Sequence, residues 1–111
     1  MNDEKANSLL SCLGLARRAG VLIIGQDNVK SSLARRDSLL VLITETGSSF
    51  YRFLHNRQDG DSRIEVLRSV SAEALSSAIG AEKVKVVALP LRSGLAQKTL
   101  QLLAEGGKKI E

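Results

Sequence analysis

Leu39-Leu40-Val41-Leu42-Ile43-Thr44 is a continuous apolar run of strand length, and its reading decides the fold class. A strand with one wet face alternates polar and apolar residues. An unbroken run belongs to a strand covered on both faces, with helices above and below it. Working outward toward the N-terminus, Val29 and Leu33 recur four residues apart, so a helix precedes the run and ends in Arg35 and Arg36. That helix opens from a polar turn, Gly25-Gln26-Asp27-Asn28, fed by a short apolar strand from Val21 to Ile24. Farther back, Leu9, Leu10, Leu13 and Ala16 predict an amphipathic helix capped near Asn7 or Ser8. Arg17 and Arg18 close it where cations suit the carbonyl end of the helix dipole, and Gly20 follows as a residue able to take a positive φ.

Toward the C-terminus, Ser48 or Ser49 caps a third helix with Phe50, Phe53 and Leu54 on its apolar side. Residues 58–62 read as a loop, and Ile64 and Val66 alternate as a half-buried strand. Ser71 caps a short helix in which Leu75, Ala78 and Ile79 face inward, and Gly80 ends it. Val84 to Leu89 predicts a last strand closed by Pro90. Leu95, Ala96, Thr99, Leu100 and Leu103 predict a final helix, with a frayed tail over 106–111. Helices alternate with strands throughout. The order predicts an α/β fold, a three-layer α/β/α sandwich around a central four-stranded mixed sheet, formed by residues 1–111 as a single domain.

Composition narrows the function classes. The 111 residues are 43% hydrophobic, enough for one compact core. No apolar run approaches the roughly 20 residues of a membrane span, and the polar start MNDEKANS lacks the pattern of a secretion signal, so a cytoplasmic protein is expected. Cys12, the one cysteine, sits among Leu9, Leu13 and Ala16 and reads as an inert core thiol. With His55 as the lone histidine, neither a metal site nor an activated nucleophile is expected, and no cofactor is. The Gly25 turn also lacks the lysine and glycine spacing of phosphate-binding and dinucleotide-binding loops. The expectation is a protein that is not an enzyme; Glu45, alone after the central strand, reads as a polar strand end.

The net charge of +4 favours an anionic partner, and its distribution says more. Residues 1–36 hold six Lys or Arg against three acids, 37–81 four against six, and 82–111 six against three. Asp27 and Asn28 fit RNA: a carboxylate accepts from N1 and N2 of guanine, and an amide both donates and accepts along a base edge. Backbone amides at a helix start hold phosphate. Asp27 or Asn28 acting merely as the helix cap is the competing expectation. Arg17, Arg18, Lys30, Arg35 and Arg36 suit a phosphate backbone. Under the RNA reading Arg17, Arg18, Lys30, Arg35 and Lys83 border the Gly25 turn on one face.

The succession LGLARRAG (13–20), IIG (23–25), LLVLITE (39–45) and VSAEALSSAIG (70–80) resembles the bacterial YlxQ-like branch of the kink-turn-binding ribosomal protein superfamily, the seven-Ae and thirty-e type. The likeness runs in order from Leu9 to Leu103. It implies an α/β/α sandwich that binds structured RNA, with the ribosome or translation proteins as further partners; apart from the resemblance, no membrane partner and a monomeric state are expected. Members of that family bind RNA with the loop opening the second helix, where a glycine precedes a variable residue, an asparagine and a glutamate. A lysine three positions after the glutamate assists. By position the resemblance places these contacts on Gly25, Gln26, Asp27, Asn28 and Ser31. Asp27 stands for the asparagine, Asn28 for the glutamate and Ser31 for the lysine, with Lys30 one residue earlier. Ile23 and Ile24 occupy positions where a basic residue is usual, and Val21 one where lysine is common. The resemblance implies a second contact from Gly80, Ala81, Glu82 and Lys83, which meets a flipped nucleotide with apolar atoms and backbone. It also matches Glu45 to an acid after the central strand, beside the Gly25 turn. A protein-interaction module on the same fold, using the Phe50 helix or the acidic middle, is the alternative expectation; exposure of Phe50 or Phe53 favours it.

Overall fold

The computed structural model describes residues 3–56, 61–68 and 70–107. The chain order is α1 (Asp3–Arg18), β1 (Ile23–Ile24), α2 (Gln26–Ala34), β2 (Leu39–Ile43), α3 (Ser49–Asn56), β3 (Arg63–Val66), α4 (Ala72–Ile79), β4 (Val86–Pro90) and α5 (Gly94–Gly107). The four strands form one mixed sheet in the order β1-β4-β2-β3, with β2 parallel to β3 and the other pairs antiparallel.

The Leu39 run behaves as its composition demands. All five residues of β2 are buried, and they divide by parity between two cores. Leu40 and Leu42 join Val87 and Leu89 of β4 against Leu9 and Leu13 of α1, Leu75 and Ile79 of α4, and Ala96 of α5. Leu39, Val41 and Ile43 join Val86 and Ala88 against Val29 and Leu33 of α2 and Phe50 and Leu54 of α3. The sheet is therefore sandwiched between α1, α4 and α5 on one face and α2 and α3 on the other. Burial of a Leu or Val side chain contributes roughly 1.5–3 kcal/mol, so these two faces hold the domain together. Cys12 is buried as expected, its Sγ 3.5 Å from the Thr99 hydroxyl oxygen.

Several boundaries differ from expectation, each for a local reason. α1 begins by Asp3, ahead of the Asn7 or Ser8 cap, because Glu4 and Ala6 favour helix and Ala6 packs against the core one turn before Leu9 and Leu10. β1 holds Ile23 and Ile24 in place of the whole run from Val21. The register would set Val21 opposite Pro90, which has no N–H, and the Val21 N–H already donates to the Ala16 carbonyl at 3.1 Å. β4 starts at Val86 and not Val84, since both backbone groups of Val84 bond the Ser76 hydroxyl, at 2.8 and 3.3 Å. Neither Asp27 nor Asn28 caps α2; Gly25 occupies the cap position with no side-chain bond. The caps at Ser48 and Ser71 are present, accepting from the N–H of Tyr51 and Ala74 at 3.1 and 3.0 Å. α5 continues through Gly107, past the expected start of the tail at Gly106; 108–111, and 58–60 of the expected loop, lie outside the described residues.

Candidate functional site

Gly25 leaves the sheet with φ 89° and ψ 154°, a backbone region that side chains with a Cβ adopt only under strain. That conformation lets one residue serve two elements. Its N–H completes the sheet by donating to the Val86 carbonyl at 3.0 Å, while its own carbonyl accepts the first helical bond, from Val29 N–H at 3.0 Å. Gln26, Asp27 and Asn28 then form the exposed first turn of α2. Among the described residues Asp27 has no hydrogen bond or ion pair. The Asn28 side chain turns back, its Nδ2 donating to the Ile24 carbonyl at 2.9 Å.

The adjoining strands bring further groups to this end of the sheet. Val86 pairs with Ile43, and one step outward the Thr44 N–H and hydroxyl both donate to the Lys85 carbonyl, at 3.0 and 3.2 Å. Glu45 follows, its carboxylate 3.4 Å from Lys85 Nζ. Glu45 thus stands two strands from Gly25, across β4. Gly80 ends α4 in the left-handed region at φ 71°, and the chain climbs from it through Ala81, Glu82 and Lys83 into β4. Ser76, through its two bonds to Val84, clamps this segment to α4. A groove of about 540 Å³ beside it is lined by Ala72, Ser76, Ser77 and Ala81 together with Glu73, Glu82, Lys83 and Lys85.

Of the other expected site residues, Ser31 is exposed on α2. Lys30 lies one turn into α2 with its ammonium 5.1 Å from the centre of the Phe53 ring and 6.0 Å from that of Phe50, a cation–π contact that ties α2 to α3. Phe50 is buried and Phe53 half-buried beneath Lys30, which counts against an exposed aromatic docking face. Lys85 and Ser76 were not among the expected residues. The alternation Lys83-Val84-Lys85-Val86 signals an entering strand, but nothing local signals that Ser76 faces it.

Of the expected basic border only Lys30 and Lys83 lie at the Gly25 end. The end carrying Gly25 holds Lys30, Lys83, Lys85 and Arg68 against Asp27, Glu45, Glu73 and Glu82. Arg17, Arg18 and Arg35 sit at the opposite end: α2 carries its C-cap Arg35 about 13 Å from its start, and α1 ends where β1 begins. Lys and Arg that follow one another in sequence here close helices, and helices beside a sheet end at the far side from where they start.

Fold and site together define a class, an α/β/α sandwich with a mixed four-stranded sheet and a glycine-led helix start at one end of it. Among solved structures the chain is similar to the Giardia lamblia 15.5kD RNA binding protein, with a TM-score of 0.68 and 16% sequence identity over 95% of this chain and 89% of that one. At that identity the likeness is one of fold. No protein-family profile and no curated protein sequence matches the chain.

Proposed function

We propose that this protein binds structured RNA of the kink-turn type, without catalysis, as a cytoplasmic, ribosomal-protein-like component linked to translation and belonging to the YlxQ-like branch of its superfamily. The observation that carries the reading is the Gly25 turn: a glycine-only backbone opens α2 and presents the unpaired Asp27 carboxylate beside Asn28. The fold shared with a protein described as RNA binding supports it, as does the second loop, Gly80 to Lys83, which enters the sheet beside the turn. Gln26, Asp27 and Asn28, with Lys30 and Ser31 beside them and Glu45 two strands away, read base edges. Ala81, Glu82 and Lys83 offer a nucleotide turned out of its stack a groove with apolar atoms, two lysines and two glutamates along it. Because acids balance cations at this end, recognition depends on hydrogen bonds and shape more than on charge.

The test is binding to a kink-turn RNA and to the same RNA with its G·A pairs replaced, across a salt series. The reading expects tight binding to the first and loss with the second. Equal binding of both, falling steeply with salt, refutes recognition by the turn.

A further inference from the structure

The arginines that the Gly25 turn does not gather collect at the other end of the sheet. There each of the four strands contributes at least one. β1 is entered from Arg17 and Arg18, which end α1; β4 leaves through Pro90 and Leu91 to Arg92; β2 is entered from Arg35 and Arg36; β3 opens with Arg63. Hydrogen bonds lock these segments side by side. Leu91 N–H donates to the Ser38 carbonyl at 3.0 Å and Leu39 N–H to the Ser62 hydroxyl at 2.9 Å, while β1 is held to β4 by the pairing of Ile23 with Ala88. Four strands spaced about 4.8 Å apart spread the arginines over roughly 14 Å.

All six side chains are exposed. Three have acidic partners: Arg35 with Asp37 at 3.2 Å, Arg63 with Glu65 at 2.8 Å and Arg92 with Asp61 at 3.9 Å. Arg17, Arg18 and Arg36 have none among the described residues. A helix dipole accounts for cations after α1 and α2. It accounts for neither Arg63 nor Arg92, which follow no helix end. The Arg18 guanidinium folds back along α1 to the Gly14–Ala78 crossing, whereas Arg17 and Arg36, free of carboxylate among the described residues, stand at this end with the three paired arginines and form with them a surface complementary to anions. Arginine, with its planar fork of donors, is the side chain suited to phosphate oxygens.

We propose that this end of the sheet is a second nucleic-acid surface that holds the phosphate backbone of double-helical RNA, so that the domain bridges two RNA segments, one at the Gly25 turn and one at the arginines. The bridging rests on the RNA reading above; the duplex contact itself does not. It is independent of base sequence, because guanidinium–phosphate contacts fix position and carry no base information.

The probe is a fully paired RNA duplex with no internal loop, titrated with wild type, with Arg17→Gln/Arg36→Asn/Arg92→Gln, and with a charge-matched control, Arg52→Gln/Arg68→Gln/Lys98→Gln. Circular dichroism first establishes that all three are folded. The proposal expects the arginine variant to bind at least about 10-fold more weakly near 0.1 M salt, with the slope of log K against log salt shallower by about 3 units, roughly one for each phosphate that is no longer neutralised. The control changes affinity less than about threefold. Equal losses in the two variants mean that net charge alone matters and overturn the proposal. So does failure of wild type to bind the duplex, or equal arginine dependence with polyglutamate or anionic vesicles as the probe. The duplex probe holds no G·A pair for the Gly25 turn to read, so failure of the Gly25 reading appears separately, in the kink-turn titration.

Discussion

The Nδ2 group of Asn28 donates to the Ile24 carbonyl at 2.9 Å, joining the first turn of α2 to the last residue of β1. Gly25 N–H and the Val86 carbonyl form a bonded position in the ladder, so the neighbouring Ile24 carbonyl points away from β4 toward the open edge. Asn28 closes that edge. One of its two Nδ2 protons is thereby committed to the fold, and the other, with Oδ1, is left for a ligand.

Asn28 and the adjacent Asp27 consequently separate under mutation. Asn28→Ala is expected to cost about 0.5–1.5 kcal/mol in stability, the net worth of a hydrogen bond. Asp27→Ala, with no bond to lose, is expected to stay within about 0.5 kcal/mol of wild type. If the turn reads RNA as proposed, both are expected to weaken binding to a kink-turn RNA by about 1–3 kcal/mol each, as loss of single base-edge contacts does. Urea titration and binding titration of the two variants check this. Unchanged RNA affinity in both removes the turn from the binding site.

Gly25→Ala tests the backbone and not the space, since a Cβ at Gly25 meets no atom within 4 Å. The cost comes from φ 89° and amounts to about 1–3 kcal/mol, or a Tm drop on the order of 5–15 °C for a domain of this size. Gly47→Ala, at another glycine with open space and no positive φ, is the control and is expected to move Tm by only a few degrees.

Gly14 makes the opposite case. A Cβ there lies 3.0 Å from the Ala78 carbonyl oxygen, where α1 crosses the last turn of α4. Alanine improves helix propensity by up to about 1 kcal/mol, but the clash is with backbone and typically costs about 1–3 kcal/mol. Gly14→Ala is therefore expected to destabilise, and Gly14→Val to do so more strongly. A rise in Tm for Gly14→Ala would show that α4 moves aside freely.

Ser76→Ala removes the clamp on the segment between α4 and β4. The buried Val84 N–H loses its 2.8 Å partner, and an unsatisfied buried donor costs about 1–3 kcal/mol. Hydrogen exchange at Val84 is expected to accelerate by a larger factor than at Val87, whose position in β4 is held on both sides by the sheet. Equal acceleration at both sites means that the clamp supports the whole domain and not this segment.

Most of the architecture was legible from residues alone. β2 announces itself because a strand buried on both faces needs no alternation, and helices beside it keep a 3.6-residue stripe. The Ser71 cap and the Gly80 stop were legible for the same kind of reason: a hydroxyl that bonds a helix start and a residue free to take φ 71° act within a few positions of themselves. What failed was the edge of elements. The strand expected from Val21 stops short because its partner across the sheet is Pro90, a residue 69 positions away.

The candidate site divides in the same way. Gly25, Asp27 and Asn28 were visible as a glycine followed by polar residues at a helix start, but the path of Asn28 back to Ile24 depends on which side of β1 is unpaired. The charge distribution was visible as a count and misleading as a map. Local propensity and periodicity, which act over a few residues, determined the element order, the double-sided central strand and the helix stops. Tertiary structure alone decided which cations share a surface, because strand order and direction send Lys83 and Lys85 to one end of the sheet and Arg17, Arg36 and Arg92 to the other.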